Sequence, residues 1–154
     1  MYDKDCIFCR IAQGQAPSHN IWEDENHLGF LNIYPNTVGT SLVIPKKHYT
    51  SYFAELPGQV LTDLMVATKK VALLLDRSFE DVGRTGMVFE GFGVNHIHSK
   101  LYPMHGTSTE DWRPIESDID LFFNEYPGYV SSHSSKRASD SELAEIAAKI
   151  RKNI

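Results

Sequence analysis

A change of hydrophobic period in the middle of the chain restricts the folds open to it more than any other feature. Between Pro57 and Phe79, apolar residues recur every three or four positions, which predicts one amphipathic helix. Its predicted buried stripe contains Leu61, Leu64, Met65, Val71, Ala72 and Leu75. Pro57 suits the first turn of a helix, where its missing N–H costs nothing. Shorter apolar runs on both sides of this helix predict strands, and the chain is therefore expected to be an α+β protein.

The shorter apolar runs are bounded by Gly, Pro, Asn and Asp, which are typical of turns. We predict strands at residues 19–23, 27–33, 41–44, 87–90 and 94–102, one helical turn over 7–13 and a short helix over 119–123. Ser139 and Glu142 form a capping-box pattern before a short amphipathic helix that would pack on the domain or on a second subunit. We expect residues 1–106 to form the main domain and residues 107–154 to form a C-terminal extension packed on it.

Composition excludes several classes of function. The chain has 154 residues and a formal net charge of −5, so it lacks the basic surface that long nucleic acids require. No apolar run reaches the roughly 18 residues that span a bilayer, and the polar segment Met1–Asp5 does not resemble a signal peptide. Cys6 and Cys9 are the only cysteines, too few for a secreted disulfide framework. We therefore expect a cytoplasmic protein that does not act on membranes.

A run of alternating residues carries the most chemistry. If residues 95–102 form a strand, His96, His98, Lys100 and Tyr102 share one face, and Ile97, Ser99 and Leu101 share the other. Three groups that can be positively charged, about 7 Å apart along one face, suit an anionic ligand. The alternative is an exposed sheet face that is merely polar.

Four motifs in order, over residues 5 to about 104, resemble the histidine triad (HIT) family. They are the segments 5–11 (DCIFCRI), 22–33 (WEDE to FLNI), 41–48 (SLVIPKKH) and 96–98 (HIH). The resemblance implies an α+β fold with a mostly antiparallel sheet of about five strands, one long helix and a C-terminal helix. It also implies a homodimer that binds a small nucleotide or dinucleotide substrate and needs no organic cofactor.

The resemblance further implies a nucleotide hydrolase or nucleotidyl transferase acting at the α-phosphorus. His98 would be the nucleophile and would form a nucleotidyl-imidazole intermediate, while the carbonyl of His96 would hold the other ring nitrogen protonated. A neutral imidazole is a good nucleophile near pH 7. Charge on the phosphoryl oxygens requires positioned donors, for which His48 and Lys100 are the candidates. Dinucleoside polyphosphates and nucleoside phosphoramidates are the expected substrate classes.

The sequence departs from the family pattern at the third histidine, where it has Lys100. Lysine can hold a phosphate but is a poorer proton shuttle than histidine. The preceding loop is short and contains Glu90, although Gly91 and Gly93 can still bring backbone N–H groups to an anion. His105 either replaces the missing base in the substrate site or is a surface residue.

At the nucleoside end, Asn32 occupies the position of a family aspartate that binds the ribose hydroxyls. It retains one acceptor group and one donor group. Ile11, Phe30 and Ile33 are candidates for lining the base pocket, and core packing explains them about equally well.

The cysteines permit a structural zinc site. Cys6 and Cys9 supply half of a site, and in the zinc-bearing branch of the family the other ligands match His48 and His96. The alternative is a reduced, metal-free pair beside a catalytic His48, and the two assignments of His48 compete. A third possibility is a thiol-redox pair, although it lacks the expected sequence context.

Lys100 and Glu90 also motivate an alternative function. The chain would then be a catalytically weak or silent nucleotide-binding or sensor protein rather than an enzyme. Turnover of a nucleotide substrate distinguishes the two hypotheses.

Overall fold

The computed structural model describes residues 2–130. The chain divides into two compact units, Met1–Trp112 and Arg113–Ile154. The predicted C-terminal helix after Ser139 lies outside the described residues. The packing of residues 107–154 on the main domain stays a prediction.

The first unit contains an antiparallel sheet with the strand order β1-β2-β3-β5-β4. Its strands are β1 (Asn20–Glu23), β2 (His27–Leu31), β3 (Ser41–Pro45), β4 (Thr85–Val88) and β5 (Ser99–Pro103). The helices are α1 (Ile7–Ala12) and α2 (Gly58–Ser78), and a short 3-10 helix spans Phe53–Glu55. The α+β fold, with five strands and one long helix in the described residues, confirms the expectation from the sequence.

Helices cover both faces of the central strands. On β3, Leu42 and Ile44 pack in a cluster with α1, whereas Val43 packs in a second cluster with α2. Every residue of β3 is buried for this reason, and the strand reads as a continuous apolar run rather than an alternating one. The inner strand β3 therefore contributes side chains to both hydrophobic clusters.

Two contacts fix α2 on the sheet. A Cβ atom at Gly29 would lie 3.2 Å from Val71, so the glycine allows the helix to approach β2 closely. The hydroxyls of Thr68 and Ser99 form a buried hydrogen bond of 2.7 Å between α2 and the first residue of β5. The start of β5 is therefore held against the long helix.

The predicted strand at 94–102 is wrong at its beginning, because β5 begins at Ser99. His96 and His98 lie in the irregular segment before it. The N–H of His96 donates to the carbonyl of Val94, and that of Ile97 donates to the carbonyl of Tyr49, so neither enters a strand ladder. Side chains nevertheless continue to alternate between the two faces of the sheet in this segment, because Ile97 packs with Leu101 on the α2 side.

Three smaller predictions are corrected. The strand predicted at 87–90 lies at Thr85–Val88. The buried stripe of α2 contains Leu64, Thr68, Val71 and Leu75. Met65 lies beside this stripe and is 38% exposed, so it does not belong to the core. Residues 119–123 are not helical, and their side chains are exposed. So short a segment does not form a stable helix without packing.

Among the described residues, no helix has both the length and the apolar character needed to cross a bilayer.

Candidate active site and metal centre

Four side chains from distant parts of the sequence meet beside the sheet. Cys6 caps α1 and Cys9 lies one turn later, so both thiols lie on one side of that helix. His48 follows β3 and His96 precedes the neighbouring strand β5, which brings the two rings to a centroid distance of 5.1 Å. The four ligand atoms all lie within 4.8 Å of one another.

His96 is held in the form that a metal ligand needs. Its Nε2–H donates to the carbonyl of Pro45 at 2.9 Å, which leaves Nδ1 without a proton in the neutral ring. Nδ1 lies 3.5 Å from Sγ of Cys6 and 3.6 Å from Sγ of Cys9. Burial lowers the pKa of His96 to about 4, so the ring is neutral at physiological pH. A histidine bound to metal typically donates its other N–H to a carbonyl in this way.

The spacing of the donor atoms fits zinc. Tetrahedral zinc, with Zn–S near 2.3 Å and Zn–N near 2.0 Å, places its sulfur and nitrogen ligands about 3.5 Å apart. Nδ1 of His48 lies 3.4 Å from Sγ of Cys9, close to that separation. Without a metal, burial raises the pKa of the Cys9 thiol, and a bound cation would favour the thiolate instead. The four residues can therefore hold a metal ion.

His98 presents one nitrogen outward. Its Nδ1–H donates to the backbone carbonyl of His96 at 2.7 Å, which fixes the neutral tautomer and leaves a lone pair on Nε2. Among residues 2–130, Nε2 has no hydrogen-bond partner. The ring is 8% exposed, and its edge-to-face contact with Phe8 has a centroid distance of 5.3 Å. Burial lowers the pKa of His98, so the unprotonated nitrogen is present at neutral pH.

Two charged residues act on His98 in opposite directions. Glu90 raises the pKa of His98 and Lys100 lowers it, although both effects are smaller than that of burial. Lys100 is half-buried on β5, and its Nζ lies 5.5 Å from the ring centroid of Tyr102. The cation of Lys100 is therefore close enough to the His98 ring to affect its pKa.

The glycine loop, which contains Gly91 and Gly93, precedes His96 and packs against residues 49–51. Gly91 has φ +80°, and a Cβ atom there would lie 2.9 Å from the carbonyl oxygen of Ser51. The N–H of Ser51 donates to Oδ1 of Asn95 at 3.0 Å. A Cβ atom at Gly93 would meet nothing within 4 Å. Of these two glycines, therefore, only Gly91 has a backbone conformation and a close contact that disfavour any side chain.

The predicted nucleoside-binding residues lie on the α1 side of the sheet or directly after β2. Ile11 and Phe30 are buried in the cluster with α1, and Phe30 contacts Phe8, which in turn contacts His98. Asn32 uses Oδ1 to accept the N–H of Tyr34, within a turn. The roles of these residues in binding stay predictions.

His105 is not brought to His98. The two residues lie beyond opposite ends of β5, on the order of 20 Å apart. Nδ1 of His105 contacts the carboxylate of Asp81 at 3.0 Å, and its Nε2 contacts the carbonyl of Val38 at 3.0 Å. Both nitrogens are engaged within the protein, as expected of a structural surface histidine.

Sequence reasoning did not identify Phe8 or Pro45 as site residues. Phe8 forms edge contacts with both His96 and His98, and Pro45 supplies the carbonyl that orients His96. The only sequence signal for Phe8 is its place between Cys6 and Cys9. Pro45 acts through its backbone, which leaves no signature in side-chain chemistry.

The family model described as HIT domain matches residues 13–105. The chain belongs to the HIT domain family. This result confirms the resemblance seen in the sequence, and the matched residues include His48, His96 and His98. The family assignment covers the whole sheet and α2.

Three curated relatives illustrate the similarity. An uncharacterised HIT-like protein of Borreliella burgdorferi is 53% identical over 105 residues, covering 64% of this chain and 75% of the relative. The protein hit of Bacillus subtilis is 30% identical over 142 residues, covering 90% and 97% of the two chains. An adenosine 5'-monophosphoramidase of Saccharomyces cerevisiae is 30% identical over 121 residues, covering 77% of this chain and 76% of the yeast protein.

Solved structures show the same fold. A Streptococcus mutans protein superposes with a TM-score of 0.68 at 26% identity, covering 98% of this chain and 86% of the other. A zinc-bound histidine triad family protein from Mycobacterium smegmatis superposes with a TM-score of 0.59 at 30% identity, covering 73% and 84% of the two chains.

Proposed function

We propose that this protein is a nucleotide hydrolase or nucleotidyl transferase that acts at the α-phosphorus through a nucleotidyl-His98 intermediate. The observation that supports it is the tautomer of His98. The His96 carbonyl binds Nδ1–H at 2.7 Å, so the lone pair must reside on Nε2. A neutral imidazole held in one orientation meets the requirements of a nucleophile.

The reaction has two displacements at phosphorus. In the first, Nε2 of His98 forms a bond to the α-phosphorus, and the bond from phosphorus to the leaving group breaks with its electron pair going to the leaving group. In the second, water or another acceptor attacks the same phosphorus, the N–P bond breaks, and His98 is regenerated. The proton lost by the acceptor balances the proton taken up by the leaving group. A covalent intermediate divides one difficult displacement into two easier ones.

The other predicted residues receive roles consistent with their positions. Lys100 would bind phosphoryl oxygen as a fixed cation, and Gly91 and Gly93 would let backbone N–H groups approach the phosphate. Asn32 would contact the ribose, using the amide group that remains after its turn hydrogen bond. Ile11 and Phe30 would border the base. We do not assign a phosphate-binding role to His48, because its Nδ1 is directed to Cys9, or a substrate-binding role to His105.

Nucleoside phosphoramidates are the first substrate class to test, since a yeast relative is named for hydrolysis of one. Purified protein is incubated with adenosine phosphoramidate and with diadenosine polyphosphates, and His98→Ala is compared with the wild type. Turnover is expected to fall by at least about 1,000-fold in the variant, because the covalent route is lost. Intact-mass analysis should show a nucleotide adduct in the wild type alone. Equal turnover in both proteins contradicts the proposal.

We also propose that Cys6, Cys9, His48 and His96 bind a structural zinc ion. The N···S separations of 3.4–3.6 Å and the Pro45 contact support this assignment. The zinc would connect α1 to the ends of β3 and β5 and would leave His98 unligated. Metal analysis of purified protein should give about one zinc per chain, and Cys9→Ser should lose it. A reducing cytoplasm, which we propose as the location, would keep both cysteines available as ligands.

A second candidate function is a nucleotide sensor that binds without turnover. It is favoured by the negative charge of Glu90 near His98 and by Lys100 in place of a third histidine. Calorimetry with adenosine nucleotides separates the alternatives. Binding without turnover across both substrate classes would support the sensor, and the absence of binding would exclude both functions.

We propose that the protein is a homodimer, in keeping with the HIT resemblance. Val66 and Leu73 lie seven residues apart on one side of α2 and are 52% and 45% exposed. Val66→Lys should shift the sedimentation coefficient from that of a dimer to that of a monomer, since it places a charge in an apolar contact. Lys69→Arg, which keeps the charge of an exposed position on the same helix, is the control. A wild-type protein that sediments as a monomer contradicts this proposal.

A further inference from the structure

Lys100 and Tyr102 lie on the same face of the sheet as His98. In the strand register Lys100 is paired with Leu42, which belongs to the cluster with α1. Because cross-strand partners share a face, the side chains of Lys100 and Tyr102 project to the α1 side. The ring of His98 lies on this side as well, since it contacts Phe8 of α1. Lys100 and Tyr102 are only half-buried, so a ligand can reach them.

The ammonium group of Lys100 is suited to an anion. Its Nζ lies 5.5 Å from the ring centroid of Tyr102, the residue two positions farther from His98 along the chain. Within residues 2–130, the ion pairs do not include Lys100, and Glu90, whose charge also acts on His98, is not its partner. A half-buried cation without a carboxylate partner is stabilised when an anion binds beside it.

We infer that Lys100, held over the ring of Tyr102, forms a subsite for an anionic group carried by the leaving group of the substrate. This inference rests on the proposed function and deepens it, because it names the substrate class: nucleotidyl compounds whose leaving group bears a phosphate, phosphonate or carboxylate. The first displacement is unchanged, with Nε2 of His98 bonding to the α-phosphorus and the leaving group departing with the electron pair. The nearby ammonium group offsets the negative charge of the departing group.

The strand order assigns this subsite to the leaving group rather than to the nucleoside. The residues that we propose for the base and the ribose lie on α1, on β2 or directly after β2. Strand β3 separates β2 from β5 in the sheet. Side chains two residues apart on one face of a strand are about 7 Å apart, so a group just beyond an α-phosphorus at His98 can lie beside Lys100.

The first experiment compares substrates that differ only in a terminal charge. They are the adenosine 5'-phosphoramidates of propylamine, β-alanine and 2-aminoethylphosphonate, which share the leaving nitrogen and the chain length. The wild type should prefer at least one anionic compound over the propylamine compound by about tenfold or more in kcat/KM. The preferred anion distinguishes a carboxylate from a phosphate-like group. The absence of any preference overturns the inference.

Substitutions at position 100 test whether the lysine causes the preference. Lys100→Met keeps the length of the side chain without its charge and should reduce the preference to within about twofold. Lys100→Arg keeps the charge and should retain most of the preference. Circular dichroism confirms that both variants are folded. A preference that is unchanged in Lys100→Met overturns the inference.

Lys47→Met is the matched control. The Nζ of Lys47 lies 5.3 Å from the ring centroid of Tyr49, which is the same kind of cation–ring contact, and Lys47 precedes His48 of the metal-binding group. Lys47→Met removes the same charge and should keep the wild-type preference. An equal loss in Lys47→Met and Lys100→Met would show a general effect of net charge, and it would overturn the subsite.

The second experiment measures binding without turnover. Calorimetry with the same three compounds is performed on His98→Ala and on His98→Ala combined with Lys100→Met. The preferred anionic compound should bind to His98→Ala about tenfold more tightly than the propylamine compound, and the double variant should lose this difference.

The two experiments keep this inference distinct from the proposed function. If the wild type turns over none of the compounds, the proposed function fails, yet the affinities still test the subsite. If turnover depends on His98 but neither turnover nor affinity depends on the charge at Lys100, the proposed function stands and the subsite is rejected.

Discussion

At position 98, a backbone carbonyl decides which ring nitrogen carries the proton. Within residues 2–130, the hydrogen-bond partner of His98 is the backbone carbonyl two residues earlier rather than a charged side chain. A carbonyl accepts but cannot donate, so this contact selects the Nδ1–H tautomer irrespective of what the outer nitrogen meets. The reactivity we propose for His98 therefore depends on local backbone conformation more than on a relay of acidic groups.

The glycine loop provides a prediction at the same scale. Gly91→Ala should reduce the free energy of unfolding by about 1–3 kcal/mol, because φ is +80° and the new Cβ atom would approach the Ser51 carbonyl to 2.9 Å. Gly93→Ala is the matched control and should stay within about 0.5 kcal/mol, since its Cβ atom meets nothing within 4 Å. Urea unfolding measures both. If both variants lost the same free energy of unfolding, the positive φ of Gly91 and its Ser51 contact could not be the cause of the loss.

At the scale of elements, His105 joins the end of β5 to two segments that are distant from it in sequence. Its ring contacts the Asp81 carboxylate after α2, the Val38 carbonyl before β3 and the Phe79 ring. The Val38 carbonyl and then the Asp81 carboxylate raise the pKa of His105 above 6.5, while His105 in turn lowers the pKa of Asp81. The protonated imidazole is therefore the form that stabilises this contact.

The sign of the pH dependence follows from the raised pKa of His105. A group whose pKa is higher in the folded protein contributes its full stability below the unfolded value, and that contribution disappears as the pH rises through the folded value. The difference in Tm between wild type and His105→Gln should be fully present below pH 6.5 and should shrink as the pH rises through the higher pKa of the folded protein. Thermal unfolding between pH 5.5 and 8.5 measures this (a range chosen about the ordinary histidine pKa).

His19→Gln is the control for that experiment. His19 is exposed, and its side chain forms no hydrogen bond or ion pair with another residue in the range 2–130. Its substitution should give a Tm difference that does not vary with pH. A His105→Gln difference that is constant, or that grows at higher pH, would show that the Asp81 and Val38 contacts do not favour the charged ring.

At the scale of the whole molecule, the proposed zinc would connect the N-terminal helix to the sheet. A ligand that binds only the folded state at 100 times its Kd stabilises that state by about 2.7 kcal/mol. Chelation should therefore lower the Tm by about 10 °C, measured by scanning calorimetry at fixed protein concentration. Cys9→Ser should unfold at the lower temperature and should no longer respond to chelator. A wild-type Tm that is unchanged by chelation argues against a structural metal.

The sequence predicted the long helix more accurately than the ends of the strands. The three- and four-residue spacing located α2 within one residue at each end, since periodicity over more than five turns is a strong local signal. It did not separate Leu64 from Met65, because adjacent apolar residues both fit a broad stripe and only the packed sheet selects one. The start of β5 was misplaced because strand ladders are long-range contacts, and the N–H groups of His96 and Ile97 bond elsewhere.

The sequence by itself determined the α+β class, the long helix and the motifs that place the chain in the HIT domain family, because these depend on local periodicity and short motifs. Only the tertiary structure decided that the thiols of Cys6 and Cys9 meet His48 and His96, and that His105 lies far from His98. These outcomes depend on how α1, β3 and β5 pack together, and on backbone carbonyls at Pro45 and His96 that direct the two rings. A carbonyl is present at every residue, so its effect on a ring becomes apparent only when the chain is folded.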